Sequence, residues 1–401
     1  MEKTPVVLSR RVRAIKPSAT LSLTAKAKAM KAEGIDVIGF GAGEPDFDTP
    51  SHITEAAKRA LDEGFTNYTP TSGIPELKRA ICEKLQRDNG LKYESSQVVV
   101  GCGAKHCIFN ALQALCDDDD EVILPAPYWP SYAEQITAAG GKTVVIEARE
   151  DDGFKISPQF LSEHITPKTK IFIIISPSNP TGAVYSRDEL KGMADVLAKR
   201  GIWVISDEVY EKIVYGVEHV SIASMSPEMK DKTIVINGVS KPYSMTGWRI
   251  GYAAGDKAVI GAMSNLQDHS TSNPTSFAQK GAVAALTGPQ EVVGHMVSEF
   301  RKRRDFLVDG LNQIPGISCI LPQGAFYVFP NVSGLLSKSV KGQPIQSSHR
   351  LAEVLLEDAK VAVVPGGPFG SDDHMRLSYA TSMEEITEGL QRIEEWVKNL
   401  P

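Results

Sequence analysis

Cysteine is scarce in this chain: five in 401 residues, at positions 82, 102, 107, 116 and 319. An odd number without a paired CxxC spacing argues against a disulfide framework and against a thiolate zinc site. The thiols read as small, reduced apolar residues of a cytosolic protein. The eight histidines form neither HxxxH nor HExxH, so no metal is expected. An excess of positive charge is also lacking. Forty-three Lys and Arg stand against 49 Asp and Glu, a net charge of −6. That balance gives no support to nucleic-acid or anionic-membrane binding, which would favour a basic surface. No stretch approaches the ~18 consecutive apolar residues of a membrane helix. The start, MEKTPVVLSRRVRAIKPSAT, has no apolar core after its charges, so no secretory signal is expected.

What is present is the composition of a soluble globular chain, 42% hydrophobic and 23% charged. Its length suits two or three domains and a large core. Strand-like and helix-like patterns alternate. SSQVVVG (95–101), DEVILPAP (120–127), KTVVIEA (142–148), KTKIFIIIS (168–176), IWVISDEVY (202–210), TIVINGVSK (233–241) and WRIGYAAG (248–255) read as strands. AKHCIFNALQALC (104–116) is a helical face, and SRDELKGMADVLAKRG (186–201) is a helix opened by Ser186 and closed by Gly201. Continuous Val/Ile runs mark strands covered on both faces, which predicts an α/β fold with a mostly parallel sheet. From about Gly288 the texture changes. A long helix over 291–314 is followed by short strands in 316–332, 361–370 and 375–380 and a last helix over 382–400, a smaller α+β domain. Residues 334–348 read as loop.

Open α/β sheets bind ligands at the C-terminal ends of their strands. Several strands end there in polar residues: Gly103, Ala104 and Lys105 at a helix start, then Asn179, Asp207 with Tyr210, and Ser240 with Lys241. Each alone is a weak signal, since a lone Asp after a strand is usually a helix cap and a strand-end lysine usually points at water. Together they supply an amine, a carboxylate, a phenol, an amide and an anion site. Pyridoxal phosphate needs such a set: a lysine for its aldehyde, a carboxylate for its ring nitrogen, donors for its phenolate oxygen, and an arginine fork, here Arg249, for its phosphate. GCGAKH is not a dinucleotide fingerprint, because position 106 is His106 rather than glycine.

These segments, with PSAT (17–20), GAGEPDFDTP (41–50), YTPTSGIPELKRAI (68–81), PYWPSY (127–132), SPSNPTGAVY (176–185), SKPYSMTGWRIGY (240–252), GAFYVF (324–329) and RLSYATS (376–382), identify the sequence as one that resembles the fold-type I pyridoxal-phosphate aminotransferases. It is most similar to the bacterial aspartate aminotransferases, some of which also use prephenate. The resemblance implies a seven-stranded, mostly parallel sheet in a large domain over 46–287. It also implies a small domain built from 17–45 and 288–401, and an N-terminal arm over 1–16. It implies Lys241 as the Schiff-base lysine and proton shuttle, Asp207 facing the pyridine nitrogen, and Tyr210 and Asn179 on the phenolate oxygen. Trp129 would stack on the ring, and Gly103, Ala104, Lys105, Ser240 and Arg249 would line the phosphate site. Ala104 departs from the glycine frequent in relatives, but its backbone N–H remains. Tyr68 would reach the partner's site in a homodimer with shared active sites. Arg376 would fork the substrate α-carboxylate with Gly43 and Asn179. Lys105 and Lys16 would take the side-chain carboxylate, with Ser270 contributing from the partner. The implied reaction takes L-aspartate and 2-oxoglutarate to oxaloacetate and L-glutamate, and prephenate to arogenate. Aromatic, alanine or branched-chain donors, another reaction of the same cofactor such as β-elimination, and a non-catalytic sensor are the alternatives. The sensor fits poorly, because Lys241 is intact and no long basic extension precedes the fold.

Overall fold

The computed structural model describes residues 6–16 and 19–400. Residues 1–5 of the expected arm and Pro17 and Ser18 of the PSAT segment lie outside the described residues.

A seven-stranded sheet runs in the order Val98–Gly101, Gly251–Ala254, Thr233–Gly238, Trp203–Asp207, Thr169–Ile175, Glu121–Ala126, Lys142–Glu147. Gly251–Ala254 is antiparallel to both of its neighbours, and every other pairing is parallel. The strands Val98–Gly101, Thr233–Gly238 and Gly251–Ala254 are buried at every position, as their unbroken apolar runs require. Alternate residues of one strand serve opposite faces. Ile171 and Ile173 pack with Ile108 and Leu112 of the helix Ala104–Leu115, while Phe172 and Ile174 pack with Leu190 and Leu197 of the helix Arg187–Arg200. Burying each such side chain contributes roughly 2 kcal/mol. The helix Arg187–Arg200 starts and stops where its sequence indicates. Ser186 and Glu189 form a reciprocal capping box, and Gly201 closes the end in the left-handed region.

Strand direction positions the site. The parallel strands all finish at one edge, so Gly103, Asn179, Asp207 and Lys241 collect there. Gly251–Ala254 runs the other way, so its beginning, preceded by Arg249, lies at that same edge. Gly251 must be glycine: a Cβ there would come within 2.2 Å of the Ala104 amide nitrogen.

A second group of elements surrounds a core that includes Phe40, Phe300, Leu307, Phe326, Leu377 and Ile386. It contains a three-stranded antiparallel sheet (Val364–Pro365, Met375–Ser378, Tyr327–Val328) and the parallel pair Ile38–Gly39 with Val361–Ala362. The helices Glu291–Leu311 and Met383–Lys398 cover it.

Three of the local differences from the sequence reading have a clear physical cause. The helix expected over 291–314 ends at Leu311; Ile314 precedes Pro315, whose ring disfavours helical backbone in the residue before it. The strand expected from Trp248 starts at Gly251, because Thr246–Trp248 form a 3₁₀ turn and Arg249 has φ +57°. The stretch 334–348, expected as loop, contains a two-residue hairpin between Ser339–Val340 and Gln343–Pro344. Lys341 (φ +51°) and Gly342 (φ +76°) both take the left-handed conformation that such a tight turn demands.

Candidate active site

Lys241 follows the strand Thr233–Gly238 and is partly buried. Its Nζ donates to the Gly43 carbonyl and lies 5.9 Å from the ring centroids of both Tyr210 and Phe326. Burial pushes this amine down to about 8; Arg376 and Arg249 add to the effect, while Glu44 and Asp207 oppose it.

Asp207 closes the strand Trp203–Asp207 and is 3% exposed. Burial raises its carboxyl to about 6. Tyr132 donates its hydroxyl to Oδ2 at 2.7 Å and the Val209 amide donates to Oδ1 at 3.2 Å, which limits the rise. Tyr210 sits one turn further on, its hydroxyl 2.8 Å from that of Tyr327.

Arg376 is 6% exposed on the strand Met375–Ser378. Its Nη1 donates to Asn179 Oδ1 at 3.1 Å and its Nη2 to the Gly41 carbonyl at 3.0 Å. The guanidinium carbon lies 4.5 Å from the Tyr327 ring centroid, and Nε is buried without a partner. Each terminal nitrogen makes one of its two possible hydrogen bonds and Nε makes none, so this buried guanidinium keeps N–H groups for a carboxylate.

At the far end of the edge, the helix Ala104–Leu115 begins beside Arg249. Gly103 has φ +92°, and a Cβ there would stand 2.5 Å from Arg249 Nη2. Arg249 Nη1 donates to the Thr246 carbonyl at 2.8 Å and Nη2 to that of Cys102 at 3.3 Å. The first-turn amides of a helix with a guanidinium alongside form an anion cradle. Trp129 lies nearby, with Lys105 Nζ 4.6 Å from its ring centroid.

The profile of the aminotransferase class I and II family matches residues 35–393. The chain belongs to the class I and II aminotransferases. It is 52% identical to an aspartate aminotransferase of Geobacillus stearothermophilus, over 98% of this chain and 99% of that one. An aspartate/prephenate aminotransferase of Cereibacter sphaeroides is 49% identical, again over 98% and 99% of the two chains. The crystal structure of an aspartate aminotransferase from Rhizobium meliloti superposes with a TM-score of 0.96 at 45% identity, covering 99% of this chain and all of that one.

In this aminotransferase chain Lys241, Asp207, Tyr210, Asn179, Arg376, Gly43, Gly103, Ala104, Ser240, Arg249, Trp129 and Lys105 lie around one sheet edge. Three expected residues are exposed in the single chain. Tyr68 is 92% exposed. Ser270 is exposed and donates back to the Leu266 carbonyl at 2.9 Å. The Lys16 side chain is exposed, and its backbone amide donates to Glu134 Oε2 at 2.8 Å. Two contributors escaped the sequence reading. Tyr132 ends the PYWPSY segment, three residues after Trp129, and Tyr327 lies inside GAFYVF. Both are fully buried, and aromatic residues in apolar runs read as core unless the partner of the hydroxyl is known.

Proposed function

We propose that this chain is a pyridoxal-phosphate-dependent aspartate aminotransferase, and that it also takes prephenate. One observation carries the reading. A lysine amine with a lowered pKa and a buried carboxyl share a sheet edge with a half-free arginine fork at one side and an anion cradle at the other. The relatives named for aspartate and prephenate support the substrate class.

The residues present fit the cofactor, since Gly103 leaves Arg249 beside a helix start and Asp207 is a buried carboxyl with acceptor capacity to spare. When bound, pyridoxal phosphate supplies an aldehyde for amines and a ring that accepts the electron pair left at an amino acid's α-carbon. Asp207 would hold the proton on the ring nitrogen, and Tyr210 and Asn179 would donate to the phenolate oxygen. Trp129 would cover the ring face. The amides of Gly103, Ala104 and Lys105, the Ser240 hydroxyl and the Arg249 fork would hold the phosphate. Lys241 would hold the aldehyde, and its amine would carry the proton to and from the substrate α-carbon. Arg376 holds the α-carboxylate beside Asn179 and the Gly43 backbone. In this reading the large domain spans 46–287, the small domain joins 17–45 to 288–401, and 1–16 is an arm. The enzyme is a cytoplasmic homodimer in which Tyr68 and Ser270 serve the partner's site.

The lowered amine of Lys241 gives a pH signature. A neutral amine is the nucleophile, so a depressed pKa makes it available at lower pH. Covalent capture of pyridoxal phosphate, followed by stopped-flow absorbance, is expected to quicken about tenfold per pH unit below the break and to level off above it, with the break near about 8. A break at the ordinary lysine value, near ~10.4, contradicts the assignment.

Substrate choice is tested at Lys105, with Lys16 as its assistant. Lys105→Ala is expected to raise KM for aspartate and 2-oxoglutarate while sparing phenylalanine or alanine. One charge-assisted hydrogen bond contributes roughly 1.5–3 kcal/mol, so discrimination should fall roughly 10- to 100-fold. Equal losses for both donor classes would leave an aminotransferase without the aspartate preference.

A further inference from the structure

The SDEVYE segment, 206–211, carries four ionisable side chains, and the proposed mechanism uses two of them, Asp207 and Tyr210. The other two, Glu208 and Glu211, are buried, with side chains 1% and 5% exposed. Burying two carboxyls one helical turn apart is costly unless each is paired and hydrogen-bonded. Here each is. Glu208 Oε1 accepts from the hydroxyls of Ser206 at 2.8 Å and Ser221 at 2.5 Å, and Oε2 lies 3.3 Å from His219 Nε2. Glu211 meets the ammonium of Lys84, a side chain 1% exposed, and accepts from Asn89 Nδ2 at 2.9 Å. Lys84 and Asn89 both belong to the end of the helix Pro75–Asn89, and Lys212 adds an ion pair to Asp88 of the same helix at 2.7 Å.

Glu208, Glu211 and His219 bring ligand atoms within 4.8 Å of one another, which resembles a metal site. The chain supplies its own cation there. Lys84 engages Glu211, and Glu208 Oε1 already takes two hydroxyls. The cluster therefore does something other than hold a metal, and its position says what. Glu208 is the residue after Asp207, its amide donates to the Ile236 carbonyl of the neighbouring strand, and the Glu211 amide donates back to the Glu208 carbonyl.

We propose that Glu208, anchored by Ser206, Ser221 and His219, is a positioning residue for Asp207, fixing the turn that carries Asp207 and Tyr210 and setting the field at the Asp207 carboxyl from behind. The inference rests on the reading that Asp207 faces the cofactor's ring nitrogen. A negative charge next to Asp207 favours a proton in the Asp207–ring pair, and after burial it is Glu208 that acts to raise the Asp207 carboxyl. The other titratable groups facing Glu208 are Glu211 in the same turn, Lys84 on the helix Pro75–Asn89, Tyr93 just beyond that helix, His219, and Tyr252 on the strand Gly251–Ala254. Both phenols are pushed up, by burial first, and stay neutral.

The test uses Glu208→Gln, which keeps the shape and removes the charge. Ser221→Ala takes away one donor to Glu208 with little change in packing. In the full-length chain without cofactor, the Asp207 carboxyl is followed by carbon-13 NMR of labelled aspartate, its signal assigned with Asp207→Asn. The wild-type midpoint is expected near about 6. It should fall by roughly one unit in Glu208→Gln, the effect of one charge nearby in a medium of intermediate dielectric, and rise by a smaller step in Ser221→Ala, which leaves the charge and removes a hydroxyl dipole whose positive end faces it. In the Glu208→Gln holoenzyme the high-pH limb of kcat should move down by roughly one unit as well. Above the wild-type midpoint of that limb kcat should drop by up to about tenfold, with KM for both substrates nearly unchanged. Mass spectrometry after borohydride treatment should still find the cofactor on Lys241. An Asp207 midpoint that stays put in both variants, or a rise in KM in step with the fall in kcat, overturns the proposal. If Glu208→Gln fails to fold, Ser221→Ala decides alone. If the wild-type chain takes up no pyridoxal phosphate, the functional reading falls, while the midpoints in the cofactor-free chain still decide the role of Glu208.

Discussion

Lys241→Ala is expected to lower transamination of aspartate by at least about 10⁴-fold. Two contributions are lost together: the covalent hold on the cofactor, and the general acid–base transfer at the substrate α-carbon, which alone typically supplies 10²–10⁴-fold. The site offers no evident substitute. Asp207 is committed to Tyr132 and the Val209 amide, and Tyr210 shares its hydroxyl with Tyr327. The alanine variant should fold normally, because among the described residues the lysine head group has one polar partner, the Gly43 carbonyl. Added methylamine, a small primary amine able to enter the vacated space, should restore part of the proton transfer. Initial rates with aspartate and 2-oxoglutarate, read beside thermal unfolding, check the claim. Turnover within tenfold of the wild type would refute the lysine's role.

The second large effect is expected at Arg376. Arg376→Ala should lower kcat/KM roughly 10²- to 10⁴-fold, the loss of two charge-assisted bonds of roughly 1.5–3 kcal/mol each. It should do so for aspartate and alanine alike, since both present an α-carboxylate. That uniformity separates it from Lys105→Ala, which acts on dicarboxylic substrates alone. Arg376→Lys should recover little, because an ammonium cannot reproduce the planar fork. Steady-state rates with both donors decide it; a loss confined to dicarboxylates would exchange the roles of the two residues.

Much of this arrangement is legible in the sequence, for a physical reason. Strands buried on both faces are written as unbroken apolar runs, so the polar residues that follow each run mark the sheet edge. Asn179, Asp207 and Lys241 stand out in that way. Arg249 does not, because nothing in the run GYAA tells whether the strand travels with its neighbours or against them. Without that direction its arginine lands at either edge. Tyr132 and Tyr327 were hidden for the opposite reason: each is surrounded by apolar residues, and the hydroxyl that matters contributes nothing to the pattern. Glu208 was passed over because a carboxylate beside a recognised one reads as solvent-facing charge, and its partners, Ser221 and His219, lie more than ten residues away. The hairpin at Lys341 and Gly342 lacks the usual Asn-Gly pair, and a lysine carries no turn signal of its own.

The reversal of strand direction has a metrical consequence. Gly238 and Gly251 face each other in register, so the twelve residues between them form a closed loop with fixed feet. Within it the Met245 amide reaches back to the Ser240 carbonyl, and Arg249 donates to the Thr246 carbonyl. Lys241 stands near one foot and Arg249 near the other. The span from amine to guanidinium is therefore a property of one short segment rather than of the meeting of distant ones. The loop is a gauge: it measures whatever molecule stretches from the lysine to the arginine, and a single inserted residue would change the length it accepts while leaving both chemical groups in place.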